Sequence, residues 1–318
     1  MRVIAIVASA AATAAVVTVG ATVLASSGET KKASPSAGLR RGAPPILFDL
    51  GVRDDPEARA LRRAAELHAR GRRAEAARIF DRLSSLDADV GAAVAVWPEG
   101  TLVRLDRLAR RHPRSPLVPL HIELARFWAR DDAGAVRAWR TAARIGPDTA
   151  SGVRADDLLH PNMARGLPVF VPTEAAGSRL AGLSPREQLD ALRRGSRTVQ
   201  GRLLYGVALQ RLGKPLSARR QFDEAAALAP RSAEAQVAAA VARFDKDDPS
   251  RAFSRLGPLT RRFPRAPTVR FHLGLLLLWI GRVEEATTQL ERARALGPRT
   301  PIGREANRFL TRLKGVAK

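Results

Sequence analysis

The residues with the greatest capacity for chemistry lie in one short stretch, Asp156-Asp157-Leu158-Leu159-His160-Pro161-Asn162. Two carboxylates beside an imidazole can bind a divalent cation, or act as a general acid and a general base. The same residues also suit a plainer role, because a helix commonly stops just before a proline. We expect these side chains to cap a short helix that ends at Pro161. An enzyme with its site in the segment 150–183 is the alternative.

The rest of the sequence lacks the motifs through which most enzymes bind phosphates, metals or acyl groups. It contains no phosphate-binding glycine loop, no His-Glu-x-x-His and no Gly-x-Ser-x-Gly. The absence of cysteine excludes disulfides, thiolate zinc sites and cysteine nucleophiles. His68 and His272 fall within apolar helical stripes, where a packed imidazole is the ordinary explanation. We therefore expect no catalytic residue, no cofactor and no metal.

The formal net charge of +23 raises the question of a nucleic-acid partner. Arginine far outnumbers lysine and alanine is abundant, which a GC-rich genome produces without selection for binding. Aromatic residues, on which single-strand binders stack bases, make up only 5% of the chain. We therefore expect no nucleic-acid partner. An anionic lipid surface or envelope polymer is the alternative partner, and its binding should weaken as salt rises.

Small, large apolar and proline residues recur at an interval of 34 residues. Four series keep one register: Gly206, Ala240, Gly274; Ala218, Ala252, Ala286; Phe222, Leu256, Leu290; and Pro230, Pro264, Pro298. A fixed period of this length predicts helical hairpins. Neither helix of a hairpin could bury its apolar stripe alone, so the hairpins must stack into a solenoid.

This pattern resembles the tetratricopeptide repeat. The residues that carry the resemblance are Tyr205-Gly206, Leu209, Gly213, Ala218, Phe222, Ala225 and Pro230, and again Leu273-Gly274, Leu277, Gly281, Ala286, Leu290, Ala293 and Pro298. The hairpin at 233–266 is degenerate, with Asp247 where the turn glycine is expected. The tryptophan usual early in the family's first helix is absent from these three hairpins.

The first half of the chain carries the same offsets more faintly, so we expect three hairpins on each side of an insert. One first helix should be shortened at Trp97-Pro98-Glu99-Gly100, and the stretch from Pro301 to Leu313 should cap the array. The predicted fold class is all-α. It comprises an α-solenoid of tetratricopeptide-like hairpins in two blocks, a C-terminal capping helix and an N-terminal apolar helix.

The insert contains an apolar run, Gly166-Leu167-Pro168-Val169-Phe170-Val171-Pro172, which its prolines keep extended. Leaving this run in water would be costly, so we expect it to pack onto the solenoid. Ser184-Pro185-Arg186-Glu187 has the form of a capping box with proline in the first turn. It predicts a helix that continues to Arg194.

In tetratricopeptide arrays the first helices of successive hairpins line a concave groove that typically holds an extended peptide. Carried over to this chain, the resemblance implies a protein or peptide partner in that groove. The partner-binding residues would be Phe127, Trp128, Gln210, Arg211, Phe244, Phe271 and Trp279. Two explanations of so apolar a groove stay open. It receives a partner segment, or residues 166–172 or Ile46-Leu47-Phe48 already fill it and binding moves to the outer, arginine-rich face.

The N-terminus is a different kind of segment. Arg2 precedes an uncharged run from Val3 to Ser27 that is long enough to cross a bilayer. We expect an uncleaved single-pass anchor with the repeats outside the cytoplasm; a cleaved signal peptide and secretion are the alternative. Lys31 and Lys32 beyond the run favour the opposite, cytoplasm-facing topology.

The predicted organisation is an anchor or signal segment over 1–27, a flexible tether over 28–53 and N-terminal repeats over 54–149. An insert and linking helix follow over 150–196, and C-terminal repeats with their cap over 197–318. The predicted function is that of a non-catalytic, membrane-tethered scaffold that binds proteins at the cell envelope.

Overall fold

A computed structural model describes residues 39–174 and 180–316 of the chain. Within these ranges every regular element is a helix, which confirms the predicted all-α class and its tetratricopeptide-like hairpins. The predicted N-terminal apolar helix and tether residues 28–38 lie outside the described residues. None of the helices within the described ranges combines the length and hydrophobicity that crossing a membrane requires.

Contacts divide the described chain into two compact units, and each is treated by itself. The N-terminal unit covers 39–161. Its helices are α1 (Pro56–Ala69), α2 (Arg73–Phe80), α3 (Leu86–Ala95), α4 (Thr101–Arg111), α5 (Leu117–Trp128), α6 (Asp132–Ile145) and α7 (Ala150–Leu159). The first six helices pair into three hairpins, and α7 packs against α6. Helix α3 ends before Trp97, as the sequence predicts for a shortened first helix.

The C-terminal unit covers 162–316 apart from residues 175–179. Its helices are α8 (Pro185–Gly195), α9 (Val199–Arg211), α10 (Pro215–Leu228), α11 (Ala233–Val241), α12 (Ser250–Arg262), α13 (Pro267–Trp279), α14 (Val283–Leu296) and α15 (Pro301–Val316). The capping box of α8 is present, since the Ser184 and Glu187 side chains each bond the other residue's backbone. Helices α9 to α14 form three hairpins. Helix α15 covers the last one with buried Ile302, Ala306 and Leu310, as predicted for a cap.

The first and third hairpins of each unit turn through one residue with positive φ. These turn residues are Gly71, Arg130, Gly213 and Gly281, with φ of 81°, 62°, 68° and 77°. Glycine suits this left-handed conformation because it has no Cβ, whereas Arg130 is strained there. The two middle hairpins have longer turns instead, over 96–100 and 242–249. This explains why Asp247 stands where the turn glycine was expected.

Seven residues before each turn residue, the two helices of a hairpin pack closely. The residue at this position is Ala64, Glu123, Gly206 or Gly274. A Cβ added at Gly206 would lie 2.4 Å from Cε1 of Phe222, and one added at Gly274 would lie 3.0 Å from Cγ of Leu290. Because glycine has no side chain, Gly206 and Gly274 leave room for the large residue of the second helix, Phe222 or Leu290.

Glu123 departs from this pattern, since it places a carboxyl group where the other hairpins have a small residue. Its side chain is fully buried, and none of the described residues donates a hydrogen bond to either carboxyl oxygen. Burial raises the pKa of Glu123 to about 10. The carboxyl group is therefore uncharged at pH 7, because an unpaired buried charge would be far more costly.

Two glycines on neighbouring hairpins provide a matched test of the close packing. Gly206→Ala should destabilise the chain, because its Cβ would overlap Phe222. A Cβ added at Gly257 on α12 lies in open space. Its gain in helix propensity is opposed by Pro258, which disfavours helical backbone in a preceding residue with a Cβ, so Gly257→Ala should change stability by less than about 1 kcal/mol. Urea unfolding followed by circular dichroism measures both free energies of unfolding. Equal effects of the two changes would contradict the assigned packing.

Phe222→Ala should lower the free energy of unfolding by about 3–5 kcal/mol, as expected for a large cavity. The ring is fully buried in the C-terminal unit. The same urea titration measures the loss. An unchanged unfolding midpoint would show that the ring does not fill the interior of this unit.

Replacing Glu123 should change how stability depends on pH. In the unfolded chain this carboxyl group loses its proton above its ordinary pKa of 4.5, whereas in the fold it keeps the proton up to about pH 10. The fold therefore loses stability as pH rises through this window, by about 3 kcal/mol at pH 7. Glu123→Gln should remove that loss, while Glu291→Gln on the surface should not. Unfolding titrations at pH 5, 7 and 8 measure the difference.

Candidate functional site

An extended segment of the C-terminal unit lies across the first helices of its three hairpins. We call residues 166–173 the C-terminal resident segment. Trp279 Nε1 of α13 donates to the Gly166 carbonyl at 3.2 Å. The Phe170 N–H donates to Gln210 Oε1 of α9 at 2.9 Å, and Gln210 Nε2 donates to the Pro168 carbonyl at 3.3 Å. The segment thus bonds to side chains of both the first and the third hairpin.

The C-terminal half of this segment contacts the third hairpin and then the middle one. The Val171 N–H donates to His272 Nε2 of α13 at 2.9 Å. The Thr173 N–H and hydroxyl donate to the two carboxylate oxygens of Glu234, at the start of α11, at 2.6 and 2.7 Å. All three first helices of the unit therefore contact the same stretch of chain through polar side chains.

Two side chains of the C-terminal resident segment are buried. Pro168 is one, and Phe170, which is fully buried, is the other. The Phe170 ring stacks on the His272 ring with centroids 4.9 Å apart, and its edge contact with Phe222 spans 5.6 Å. Alternate burial is typical of an extended chain, whose successive side chains point in opposite directions. This confirms that the insert packs onto the array, and it corresponds to the self-filled alternative for the groove.

The N-terminal unit holds a second segment in the same way. We call residues 42–50 the N-terminal resident segment; the sequence analysis assigned them to the tether. His68 Nε2 of α1 donates to the Pro44 carbonyl at 2.8 Å, and the Leu47 N–H donates to His121 Nε2 of α5 at 3.0 Å. Ile46 and Leu50 are buried. The stretch Ile46-Leu47-Phe48, named as a candidate filler of the groove, is part of this segment.

Helix α7 and Arg40 hold the two ends of the N-terminal segment. Arg154 on α7 donates to the Phe48 carbonyl at 3.0 Å. The Arg40 guanidinium lies 3.8 Å from the centroid of the Phe127 ring, donates to the Phe127 carbonyl at 2.8 Å and pairs with Asp132 at 2.9 Å. Arg40 is thus a second donor to a carbonyl at the end of α5 that also accepts the Arg130 N–H at 3.1 Å.

The two histidines that accept an N–H from the resident segments, His121 and His272, are in the same protonation state. The Nδ1 atoms of His121 and His272 lie 2.8 and 2.7 Å from the carbonyls of Leu117 and Thr268, one turn earlier. A carbonyl only accepts, so Nδ1 carries the hydrogen and Nε2 accepts the N–H of the segment. Burial lowers the pKa of both imidazoles to about 4, which keeps them neutral at pH 7.

The two resident segments lie in one register. Corresponding residues are 124 positions apart: Gly42 and Gly166, both with positive φ, then Pro44 and Pro168, Ile46 and Phe170, and Leu47 and Val171. Their polar partners correspond as well. His68 and Gln210 lie three residues before a turn residue. His121 and His272 lie nine residues before one.

Sequence reasoning missed this equivalence, although a signal was present. The stretches Arg41-Gly42-Ala43-Pro44-Pro45-Ile46-Leu47 and Arg165-Gly166-Leu167-Pro168-Val169-Phe170-Val171 share the pattern Arg-Gly-x-Pro-x-apolar-apolar. The pattern is short and its interval of 124 residues is not a multiple of the repeat period. A search for the 34-residue register therefore passes over it.

In each unit the first helix of the middle hairpin has short side chains, which leave space for the resident segment. Helix α3 buries Ala88, Ala93 and Ala95, and α11 buries an alanine-rich set: Ala235, Ala238, Ala239 and Ala240. Such short side chains extend little beyond the helix surface. The larger side chains of the segments, such as Ile46 and Phe170, belong to the same buried clusters as these alanines.

The predicted partner-binding residues lie in different environments. Phe127, Trp128, Phe244 and Phe271 are buried. Phe271 packs against Phe309 of the capping helix, with ring centroids 5.8 Å apart.

Of the predicted set, Gln210 and Trp279 form hydrogen bonds to the same element, the C-terminal resident segment. Arg211 is partly buried, and burial lowers its pKa to about 10, which still leaves it charged at pH 7. A role for these residues in binding a partner stays a prediction.

The residues of the alternative active site, Asp156, Asp157 and His160, lie at the C-terminal end of α7. Helix α7 stops at Leu159, before Pro161, as the sequence predicts. His160 Nδ1 lies 3.1 Å from Oδ1 of Asp156 and 2.9 Å from the Asp156 carbonyl. Asp157 lies on the same last turn of α7. Across 39–174 and 180–316, no group of three or more His, Asp or Glu side chains is arranged to hold a metal ion.

Comparison with solved structures finds matches that cover most of this chain at low sequence identity. No family model matches the chain, and no curated protein matches it. Yeast Tom70 is 13% identical, with 86% of this chain and 67% of that one covered and a TM-score of 0.31. A tetratricopeptide repeat protein from Parabacteroides merdae is 12% identical, with coverages of 80% and 98% and a TM-score of 0.31. The APC/C hetero-tetramer Cut9-Hcn1 is 15% identical, with coverages of 84% and 57% and a TM-score of 0.28.

The buried histidines predict a loss of stability in mild acid. In the unfolded chain an imidazole gains a proton near its ordinary pKa of 6.5, whereas His272 in the fold resists protonation down to about pH 4. Its contribution is therefore fully present above pH 6.5 and is lost as pH falls toward 4, by up to about 3 kcal/mol. His121 should act with the same sign, and the nearby charges of Arg154 and His68 lower its pKa further.

Unfolding midpoints in urea at pH 7, 6 and 5 measure this effect. His272→Gln retains an oxygen that can accept the Val171 N–H but removes the titrating group, so its stability should fall less between pH 7 and 5. His112→Gln, at an exposed position, should leave the pH dependence unchanged. A His272→Gln profile parallel to that of the wild type would show that this imidazole is not held neutral.

Proposed function

We propose that this chain is a non-catalytic scaffold that binds other proteins. The observation that supports this proposal is that each unit holds an extended stretch of polypeptide across its first helices. The bonds run mainly from side chains to backbone N–H and carbonyl groups, as in the contacts from Gln210, His272 and Trp279. Side chains that recognise the backbone in this way select an extended peptide as ligand.

The second helices offer another surface for a protein partner. Several carry large apolar side chains that are more than 40% exposed: Val103, Leu216, Leu228, Val283 and Leu296. Scattered apolar residues are normal on a protein surface. Here they share their helices with exposed arginines, as Val103 does with Arg107 and Leu296 does with Arg292. A second protein would find apolar contact beside positive charge there.

A membrane tether is part of the proposal. It rests on the uncharged run from Val3 to Ser27 after Arg2, which has the length of a bilayer-spanning helix. We propose that the repeats lie outside the cytoplasm, at the cell envelope. Protease treatment of intact cells should then digest the repeats. Protection until the cells are lysed would contradict this topology.

Photo-crosslinking in cells tests the scaffold itself. A photoreactive amino acid replaces Val103 or Leu228 on the second helices, or Trp279 beside the C-terminal resident segment, in the full chain. Glu291 provides an exposed polar control. A scaffold should give discrete crosslinked protein bands at the apolar positions, and these should persist when the salt concentration is raised. An absence of protein crosslinks at every position would contradict the proposed function.

An arginine cluster favours a second candidate function, the binding of anionic lipid or polymer. Arg193, Arg194, Arg197 and Arg202, with Ser196, line a surface pocket of about 620 Å³. Arg193 and Arg202 pair with Asp190 and Glu224. This candidate predicts co-sedimentation with anionic vesicles that is lost at 300 mM salt and is weakened by an Arg194→Ser/Arg197→Ser variant. Trp279→Ala should leave it unchanged.

A further inference from the structure

The resident segments also indicate which sequence a partner should present. We propose that the groove across the first helices of the C-terminal unit binds a partner's segment of the form Gly-x-Pro-x-Φ-Φ, where Φ is a large apolar residue, in exchange for the C-terminal resident segment. This inference rests on the proposed scaffold function and specifies the partner of the same site.

The first argument is that two different sequences occupy one register. Residues 42–47 read Gly-Ala-Pro-Pro-Ile-Leu and residues 166–171 read Gly-Leu-Pro-Val-Phe-Val. In both, a polar side chain donates to the proline carbonyl, and a histidine accepts the N–H three residues later. The residues that the two segments share are therefore those that the groove requires. At the other positions the groove accepts different residue types.

The second argument concerns what each shared residue does. The glycine adopts positive φ, with values of 83° and 70°, which other residues rarely adopt. The proline and the first Φ residue are the positions buried in both segments. Proline also restricts the chain to extended conformations before binding, which lowers the entropy lost when it docks.

The third argument is that the contact suits exchange. Only Pro168 and Phe170 of the C-terminal resident segment are buried, while Leu167, Val169, Val171 and Pro172 remain partly exposed. Binding energy is thus concentrated in two side chains and a few backbone bonds. A partner segment of this form replaces the bonds to Gln210, His272 and Trp279, and only the bonds from Thr173 to the partly exposed Glu234 lie beyond it. No buried histidine or glutamine is left without a partner after the exchange.

The resident segment has the advantage of being part of the same chain. Its tethering gives it an effective concentration of the order of millimolar, against which a free peptide must compete. A change that weakens only the resident segment should therefore strengthen the binding of a peptide, because it raises the fraction of open grooves. This competition makes the proposal testable with the chain's own sequence.

The experiment measures fluorescence anisotropy of a labelled peptide with the sequence of residues 165–174, added to the full chain. Phe170→Leu in the protein should tighten peptide binding at least tenfold relative to the wild type. Circular dichroism and the melting temperature of the variant confirm that it is folded. Should Phe170→Leu not fold, Val169→Gly, at a partly exposed position of the segment, replaces it with the same expectation.

Modified peptides test the register without touching the protein. Methylation of the nitrogen at the Val171 position removes the N–H that His272 accepts and should weaken binding at least tenfold. Methylation at the Val169 position is the matched control, because none of the described residues accepts that N–H. An unlabelled peptide of residues 41–50 should compete for the groove, and the same peptide with Ile46→Asp should not.

The proposal is overturned if neither peptide binds the folded variant, or if the two methylated peptides bind equally. A chain that crosslinks to proteins in cells but binds neither peptide overturns this inference alone and leaves the proposed function standing. Peptide binding without any crosslink in cells supports the inference and contradicts the proposed function.

Discussion

The structure of each unit depends on covering the apolar face that its first helices share. Stacking hairpins buries the seams between helices, but the open side of the array still exposes apolar surface to water. In both units a stretch of the same chain covers that side, with Ile46 or Phe170 at its centre. Because an extended chain brings N–H and carbonyl groups with it, the helices must also supply polar partners for them.

This requirement explains the polar residues among the apolar ones. His121 and His272 are fully buried, yet each is fully bonded, with one nitrogen donating to its own helix and the other accepting from the segment. Pairing both nitrogens and keeping the ring neutral lowers the free-energy cost of burying an imidazole. The binding of the segments is therefore coupled to the protonation of these two side chains.

A self-filled groove changes how a scaffold of this kind can act. In the proposed function a partner does not meet an empty surface, and it would bind either by exchange with a resident segment or on the second helices. The two routes differ in chemistry. Exchange selects an extended, largely neutral peptide with proline and a large apolar residue, whereas the second helices offer apolar side chains such as Val103 and Leu228 among arginines. Both routes use protein–protein contact and neither needs a reactive group.

Local sequence alone was enough to predict the hairpins. The 34-residue register places Gly206 against Phe222 and Gly274 against Leu290, because helical spacing and side-chain size act over a few residues. The capping box at Ser184, the end of α7 before Pro161 and the C-terminal cap follow from equally local rules. Glu123 shows the limit of such rules, since nothing in its neighbourhood announces a buried, uncharged carboxyl group.

The candidate site was only partly accessible to the same reasoning. Composition showed that residues 166–172 must be buried somewhere, and it left open whether they or Ile46-Leu47-Phe48 would fill the groove. The tertiary structure decided that both segments are docked, each in its own unit, and in one register. The bonds that fix this register join residues far apart in the chain, such as Leu47 to His121 and Val171 to His272. Sequence determines which surfaces must leave water, but only the folded chain determines which surfaces meet, because that choice depends on distances that no local pattern encodes.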